Sequence, residues 1–358
     1  MMMQCNNGKV IMRLANGEIA TKNFNSAATP AIGDAVSVLD IADNQGNVVM
    51  RIDSFGNILT FGFDSTKVVL KDVVNSVSDS ISAFVSKMNE YAANFGMTNT
   101  HFLNASGQNQ TGHHSTAKDI MRMCACCTAY EKLMRYWGLE TFTFHVAGDN
   151  ARDISVESSY KGSAMESVGN YYHIYGGKSG TWVVGGTVGT VRNLTLVVKS
   201  NIDDAWLVGC IIKSSDTDRG IAFKQLIDWL EAYRQDPTTQ PPTINADYAA
   251  AGIIQSHNPM AYADVDYCLV SKSGDTQYLP ASMTKLMTAM VVLDYCSLDE
   301  TLTIIASDIQ SGSGSTFYAG DKISIADAIP AMLLPSSNTL AVALSRYVGN
   351  KIINIKNK

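Results

Sequence analysis

Ser282 and Lys285 stand three positions apart in Tyr278-Leu279-Pro280-Ala281-Ser282-Met283-Thr284-Lys285, ahead of the apolar run Leu286-Met287-Thr288-Ala289-Met290-Val291-Val292-Leu293. A serine hydroxyl is a poor nucleophile until its proton is removed, and a lysine whose pKa is lowered by burial and neighbouring positive charge can remove it. Positions i and i+3 share a helix face, so Ser-x-x-Lys at a helix start brings the two groups together with backbone N–H groups and the helix dipole facing the reacting oxygen. The pattern alone is weak, because Ser115/Lys118 and Ser158/Lys161 satisfy it too. What singles out Ser282 is the proline-marked helix start before it and the apolar helix after it. Two further polar clusters have the composition of a site. Ser336-Ser337-Asn338 lies between the apolar runs 328–335 and 339–348, and Lys178-Ser179-Gly180-Thr181 follows Gly176-Gly177. Taken singly, the first could be a helix N-cap and the second a glycine-rich turn.

Together the three segments resemble the active-site boxes of the penicillin-recognising serine acyltransferases, and most closely the D-alanyl-D-alanine carboxypeptidases. The likeness extends to 96–107 and 112–120, which match a helix, loop, helix region of those enzymes. The resemblance implies Ser282 as nucleophile and Lys285 as its base, with Ser336 relaying a proton to the departing amine and Asn338 holding the acyl side of the substrate. It implies that Lys178 supplies fixed positive charge from an edge strand, that Ser179 offers a hydroxyl to a terminal carboxylate, and that Gly180 admits the substrate backbone. The backbone N–H groups of Ser282 and Thr181 would form the oxyanion hole. The implied activity is a serine-type D-Ala-D-Ala carboxypeptidase acting on peptidoglycan stem peptides through an acyl-enzyme, with β-lactams as acylating inhibitors and no metal or organic cofactor. His101, His113 and His114 fall in what the resemblance makes a structural loop.

Two other readings stand beside it. A class A β-lactamase needs a deacylating glutamate on a loop. Glu131 and Glu140 lack the Glu-x-x-x-Asn setting, Glu90 has it with Asn94 but inside the helical pattern of 73–96, and the Asn-Thr-His-Phe-Leu-Asn segment favours the carboxypeptidases. A non-catalytic surface or phage tail protein would use the acyltransferase part only to recognise peptidoglycan.

The boxes come in inverted order, since the Lys-Ser-Gly-Thr box normally comes last and here precedes the other two. Residues 256–358 resemble the first part of a carboxypeptidase domain and 73–234 the rest, with 235–255, containing Asp236-Pro237-Thr238-Thr239-Gln240-Pro241-Pro242-Thr243, as a linker. A circular permutation accounts for this, with new ends opening between Gly349 and about Ser80. A piece of a tandem array, completed by domain swapping or another homo-oligomer, is the alternative. The expected fold is therefore α+β: a β-lactamase/DD-peptidase-like antiparallel sheet flanked by helices, plus a helical subdomain, circularly permuted.

Residues 1–72 read as a separate all-β repeat module. Gly-x-Val-x-Met-Arg-Leu/Ile recurs from Gly8 and from Gly46, 38 positions apart, and each copy continues into Gly-x-Ile at Gly17 and Gly56. Each copy is expected to form a β-hairpin, like repeats that precede hydrolases in phage tail and surface proteins.

Composition excludes several classes. With 46% hydrophobic residues the 358-residue chain can build a substantial core, and a formal charge of −6 gives no basic field for nucleic acid. Seven scattered cysteines fit neither a disulfide framework nor a zinc site, and Cys124, Cys126 and Cys127 lie on an apolar helix pattern. Met1 to Gly8 lacks the basic-then-apolar pattern of a signal peptide, and no apolar run reaches membrane-spanning length, so neither export signal nor anchor is expected. The resemblance nevertheless implies an extracytoplasmic location in the cell envelope or secreted, with a phage virion as the alternative.

Overall fold

The computed structural model describes residues 2–4, 10–15, 18–21, 37–42, 48–53, 58–60, 71–159, 168–185, 189–214, 219–255 and 268–356. Contacts divide the chain into Met1–Val77 and Ser78–Lys358.

In the first unit, β1 (Met2–Gln4), β2 (Val10–Ala15) and β3 (Glu18–Thr21) form one antiparallel sheet, and β4 (Ser37–Ala42), β5 (Val48–Asp53) and β6 (Ile58–Thr60) form another. The repeated sequence pairs in a repeated register. Met3 and Met12 face each other as Ile41 and Met50 do, and Leu14 faces Ile19 as Ile52 faces Ile58. Ahead of each copy a further strand, β1 or β4, pairs with the copy's first strand. Helix α1 (Lys71–Asn94) starts at the end of this unit, so the expected boundary at 72/73 falls in its first turn.

The second unit is built on a five-stranded antiparallel sheet. Its strands are β9 (Ile174–Gly185), β10 (Gly189–Lys199), β11 (Trp206–Ser214), β12 (Ala246–Ile254) and β13 (Cys268–Lys272), in spatial order β13-β12-β11-β10-β9. Alternation along β11 sends Val208, Cys210 and Ile212 to one face and Leu207 and Ile211 to the other. Helix α4 (Arg219–Gln235) covers the second face with Phe223, Leu226, Ile227 and Leu230. Helix α2 (Ala117–Cys127) covers the first and carries Cys124, Cys126 and Cys127 as buried thiols in no disulfide among the described residues. Burial pushes the Cys124 thiol up to about 12, which leaves it a small apolar side chain rather than a ligand or redox group.

Strand β12 lies in the segment 235–255 that the sequence suggests is a linker. Its Ala249-Ala250-Ala251-Gly252 core carries little β propensity, yet it is an inner strand between β11 and β13 with helices pressing on both faces. Small side chains are what that sandwich admits. Only 236–245 and Gln255 remain irregular.

The helical part comprises α1, α3 (Glu131–Trp137), α5 (Lys285–Tyr295), α6 (Ile325–Leu333) and α7 (Asn338–Lys356), with the ribbons β7 (Thr141–Val146)–β8 (Arg152–Glu157) and β14 (Thr301–Thr303)–β15 (Lys322–Ser324) beside it. The apolar stripe of α1 enters the core through Phe84, Met88, Ala92 and Phe95. Helices α1 and α7 meet backbone to backbone, because a Cβ added at Gly349 would overlap the Ser80 carbonyl, and Ser80 Oγ donates to Asn350 Oδ1. No helix among the described residues is long and apolar enough to cross a membrane.

Candidate active site

Ser282 sits in a 3₁₀ turn, Ala281–Thr284, that leads into α5. The approach is held down by Asn193, whose Nδ2 donates to the Leu279 carbonyl at 3.0 Å. It ends on Ala281, whose φ of +49° is costly for a residue with a Cβ. Ser282 stays partly accessible while Lys285 is fully buried.

Lys285 Nζ lies 2.9 Å from Ser282 Oγ, 2.9 Å from Asn338 Oδ1 and 2.7 Å from the Ser106 carbonyl. The orientation of the Asn338 amide follows from its other end, where Nδ2 donates to the Ser311 carbonyl at 3.2 Å. Two of the three neighbours of Nζ are therefore oxygens that can only accept. A neutral amine has two N–H groups and one lone pair, so these two acceptors use both hydrogens and leave the lone pair aimed at the Ser282 hydroxyl. Burial, and secondarily the charge of Lys178, holds Lys285 well below the usual lysine pKa. A neutral amine so placed could take the proton of the serine as a general base.

The Ser106 carbonyl was not legible in the sequence, and neither were the groups that hold it. Thr288, one turn along α5 from Lys285, donates to the Ala105 carbonyl at 2.7 Å. The same loop is pinned to the approach to Ser282 by paired backbone bonds between Ser115 and Tyr278, of 2.9 and 2.8 Å. His113 is buried against the Ser-x-x-Lys turn, with Nε2 3.0 Å from Thr284 Oγ1, and its Nδ1 accepts from the Leu103 N–H at 3.0 Å. Burial lowers its pKa to about 4, so it stays neutral. The three loop histidines are scaffold, His101 and His114 being bridged through their backbones. Ser115 and Lys118 form no second site, since Lys118 pairs with Asp275 at 2.8 Å; Lys161 lies outside the described residues.

At the start of α7 the polar cluster divides its work. Ser337 is the cap, its Oγ accepting from the Leu340 N–H at 3.3 Å, which frees Asn338 to face Lys285. Ser336 adopts φ +66°, and its buried Oγ has no hydrogen-bond partner among the described residues. A strained residue with an unused hydroxyl is a costly feature for which packing offers no reason.

Lys178, Ser179, Gly180 and Thr181 lie on β9, the edge of the sheet. At Gly180 the strand runs so close to the turn before Ser282 that a Cβ would lie 2.8 Å from the Pro280 carbonyl oxygen, which brings this box beside Ser282. Lys178 is fully buried and donates to Ser159 Oγ at 3.1 Å and to the Ser179 carbonyl at 3.0 Å; Ser159 Oγ is also 2.7 Å from Ser179 Oγ. Burial, and then the charge of Arg219, lowers Lys178 to about 7. Ser159 and Arg219 had no motif to mark them. Among the described residues no group of His, Cys, Asp and Glu is arranged to hold a metal ion.

The sequence profile of D-alanyl-D-alanine carboxypeptidases matches residues 72–183 and 254–352, more than half of the chain and all three polar clusters. The chain belongs to this family. Among its curated members, the D-alanyl-D-alanine carboxypeptidase DacF of Bacillus subtilis is 37% identical over 62 residues, covering 17% of this chain and 16% of the relative. A D-alanyl-D-alanine endopeptidase of Pseudomonas aeruginosa is 40% identical over 92 residues, covering 25% of this chain and 30% of the relative. The chain thus spans less than a third of the length of either relative in these matches. No solved structure matches it. The α+β architecture, an antiparallel sheet flanked by helices, agrees with a carboxypeptidase of this family.

Proposed function

We propose that the protein is a serine-type D-Ala-D-Ala carboxypeptidase acting on peptidoglycan stem peptides outside the cytoplasmic membrane. The observation that carries this reading is Lys285, buried and neutralised, with both N–H groups taken by the Ser106 carbonyl and Asn338 and its lone pair left for Ser282. In the first step Ser282 Oγ attacks the penultimate D-alanine carbonyl and its proton passes to Lys285. The developing oxyanion is held by the backbone N–H groups of Ser282 and Thr181. The C–N bond then breaks, with the proton relayed through Ser336 to the departing amine, and free D-alanine leaves. Water, deprotonated in turn by Lys285, hydrolyses the ester. Lys178 and Ser179 bind the terminal carboxylate, Asn338 steadies the acyl side, and Gly180 lets the peptide lie against β9. A β-lactam carbonyl is attacked in the same way, but its leaving group stays tethered.

The inverted order of the boxes is a circular permutation that leaves one site within one chain. Its support is the contact of Gly349 and Asn350 with Ser80, where the two halves of an unpermuted relative would be joined. The strand repeats of residues 1–72 form a module separate from the catalytic part.

A fluorescent penicillin and a D-Ala-D-Ala peptide test the activity. The full chain is expected to be labelled and to release D-alanine, and Ser282→Ala to do neither; folded protein that is never labelled and releases nothing sinks the enzyme reading. Solution mass with labelling stoichiometry tests the permutation, since activity confined to dimers would point to swapping.

A further inference from the structure

The far end of α5 borders a second cavity, of about 370 Å³, that no step of the proposed chemistry uses. Asp294 on its wall is nine residues beyond Lys285, about 13 Å along the helix axis. Tyr91 and Phe95 of α1, Tyr130 between α2 and α3, and Tyr295 supply an aromatic wall. Tyr91 and Phe95 pack edge to face, with ring centroids 5.7 Å apart.

The charges in this cavity are unevenly satisfied. Asp294 Oδ2 accepts from the Tyr91 hydroxyl at 2.5 Å and from the Tyr130 hydroxyl at 3.1 Å. Its Oδ1 accepts nothing from the described residues, and no cation among them pairs with it. The one lysine on the wall, Lys87, is taken by Glu90 at 2.5 Å. Asp294 is solvent-exposed, so the cavity presents one accessible negative charge, without a cation pairing it among the described residues, beside aromatic side chains. Burial, together with Asp294, pushes both tyrosines well above the usual phenol pKa, so they remain neutral donors.

This combination selects among ligands. An anion would meet Asp294 with both tyrosine donors already used. An uncharged apolar molecule would cover Oδ1 without replacing its water, which costs free energy. A metal ion would find too few ligating groups. An organic cation satisfies Oδ1 and gains the attraction of the ring faces as water is displaced.

We propose that this cavity binds a small organic ammonium group, with Asp294 as its counter-ion and Tyr91, Tyr130, Tyr295 and Phe95 as its aromatic wall. The test is isothermal titration of the full chain with choline, with n-butylamine, and with 3,3-dimethylbutan-1-ol, the uncharged isostere of choline. Saturable binding is expected for at least one ammonium, about tenfold or more tighter than for the isostere. Binding of choline alone identifies a quaternary head and of n-butylamine alone a primary amine. Asp294→Asn keeps an acceptor for the tyrosines and removes the charge, so it should weaken the ammonium by about tenfold or more while penicillin acylation proceeds at the wild-type rate. The bound probe should remain when Ser282 is saturated with penicillin. The proposal is overturned if neither ammonium binds in the millimolar range, if the isostere binds as well, or if penicillin displaces the probe. The isostere comparison needs no variant and stands even if Asp294→Asn fails to fold.

Discussion

The surroundings of Lys285 and of Lys178 share complete burial and a lowered pKa, and differ in what their neighbours permit. Around Lys285, two obligate acceptors and a serine define three places, and the serine takes whichever role the amine leaves it. Around Lys178 there is one carbonyl and one hydroxyl, and the hydroxyl of Ser159 can turn to accept or donate. The first place thus offers three acceptors and the second two, so hydrogen bonding alone does not favour charge at Lys178. The charge of Lys178 also contributes to the lowering of Lys285, after burial. Burial disfavours charge on both lysines, and the stronger lowering is that of Lys285, to which the charge of Lys178 adds. On the proposed mechanism Lys285 is the base, and Lys178, below pH about 7, carries the charge that a carboxylate needs.

The largest test of this contrast is Lys285→Met, which should slow acylation by a fluorescent penicillin by about 10²–10⁴-fold; a rate near wild type would break the assignment. Next is the effect of pH on acylation. The rate should rise as Lys285, held well below the usual lysine range by burial and the charge of Lys178, loses its proton, and fall as pH passes about 7, where Lys178 loses its charge. In Lys178→Met the falling limb should vanish, and its survival would assign the limb to another group. A smaller effect is expected for Asn338→Ala, roughly ten- to hundredfold in acylation, from losing one of the oxygens that direct the lone pair. Asn338→Asp sharpens this, since a carboxylate there favours the ammonium of Lys285 and should move the rising limb to higher pH.

The smallest effect lies in stability. Lys178 titrates at about 7 in the folded protein against 10.5 when unperturbed, so between these values the unfolded chain holds the extra proton and stability rises with pH. Removing the lysine should relieve most strain below pH 7. Lys178→Met should therefore melt some 2–4 °C higher than wild type in that range, with the gain fading as pH approaches 10.5. A gain independent of pH would mean that packing rather than charge is responsible.

The parts of the site legible in the sequence were those where chemistry restricts the residue type. A nucleophile, its base and a carboxylate-binding strand demand Ser, Lys, Asn and Gly at short spacings, which is why Ser282, Lys285, Asn338 and Gly180 stood out. Helices α1, α2 and α4 were legible from apolar periodicity. Strand β12 was not, because its alanines answer to the helices on both faces rather than to a strand pattern. Ser159, Arg219 and Thr288 were hidden for a related reason, since each acts through distant neighbours that the linear order does not bring together.

The Ser106 carbonyl has one further consequence. Of the two acceptors that orient Lys285, Asn338 is a side chain that a single codon change can remove, whereas the other belongs to the main chain and survives every substitution that preserves the path of the loop. Substitutions at position 106 that keep the loop path leave this acceptor of Lys285 in place. Loss of that acceptor requires a change of loop length or a proline that bends the path between Asn104 and Gln108, so lesions of this kind should surface as insertions and deletions rather than as point variants.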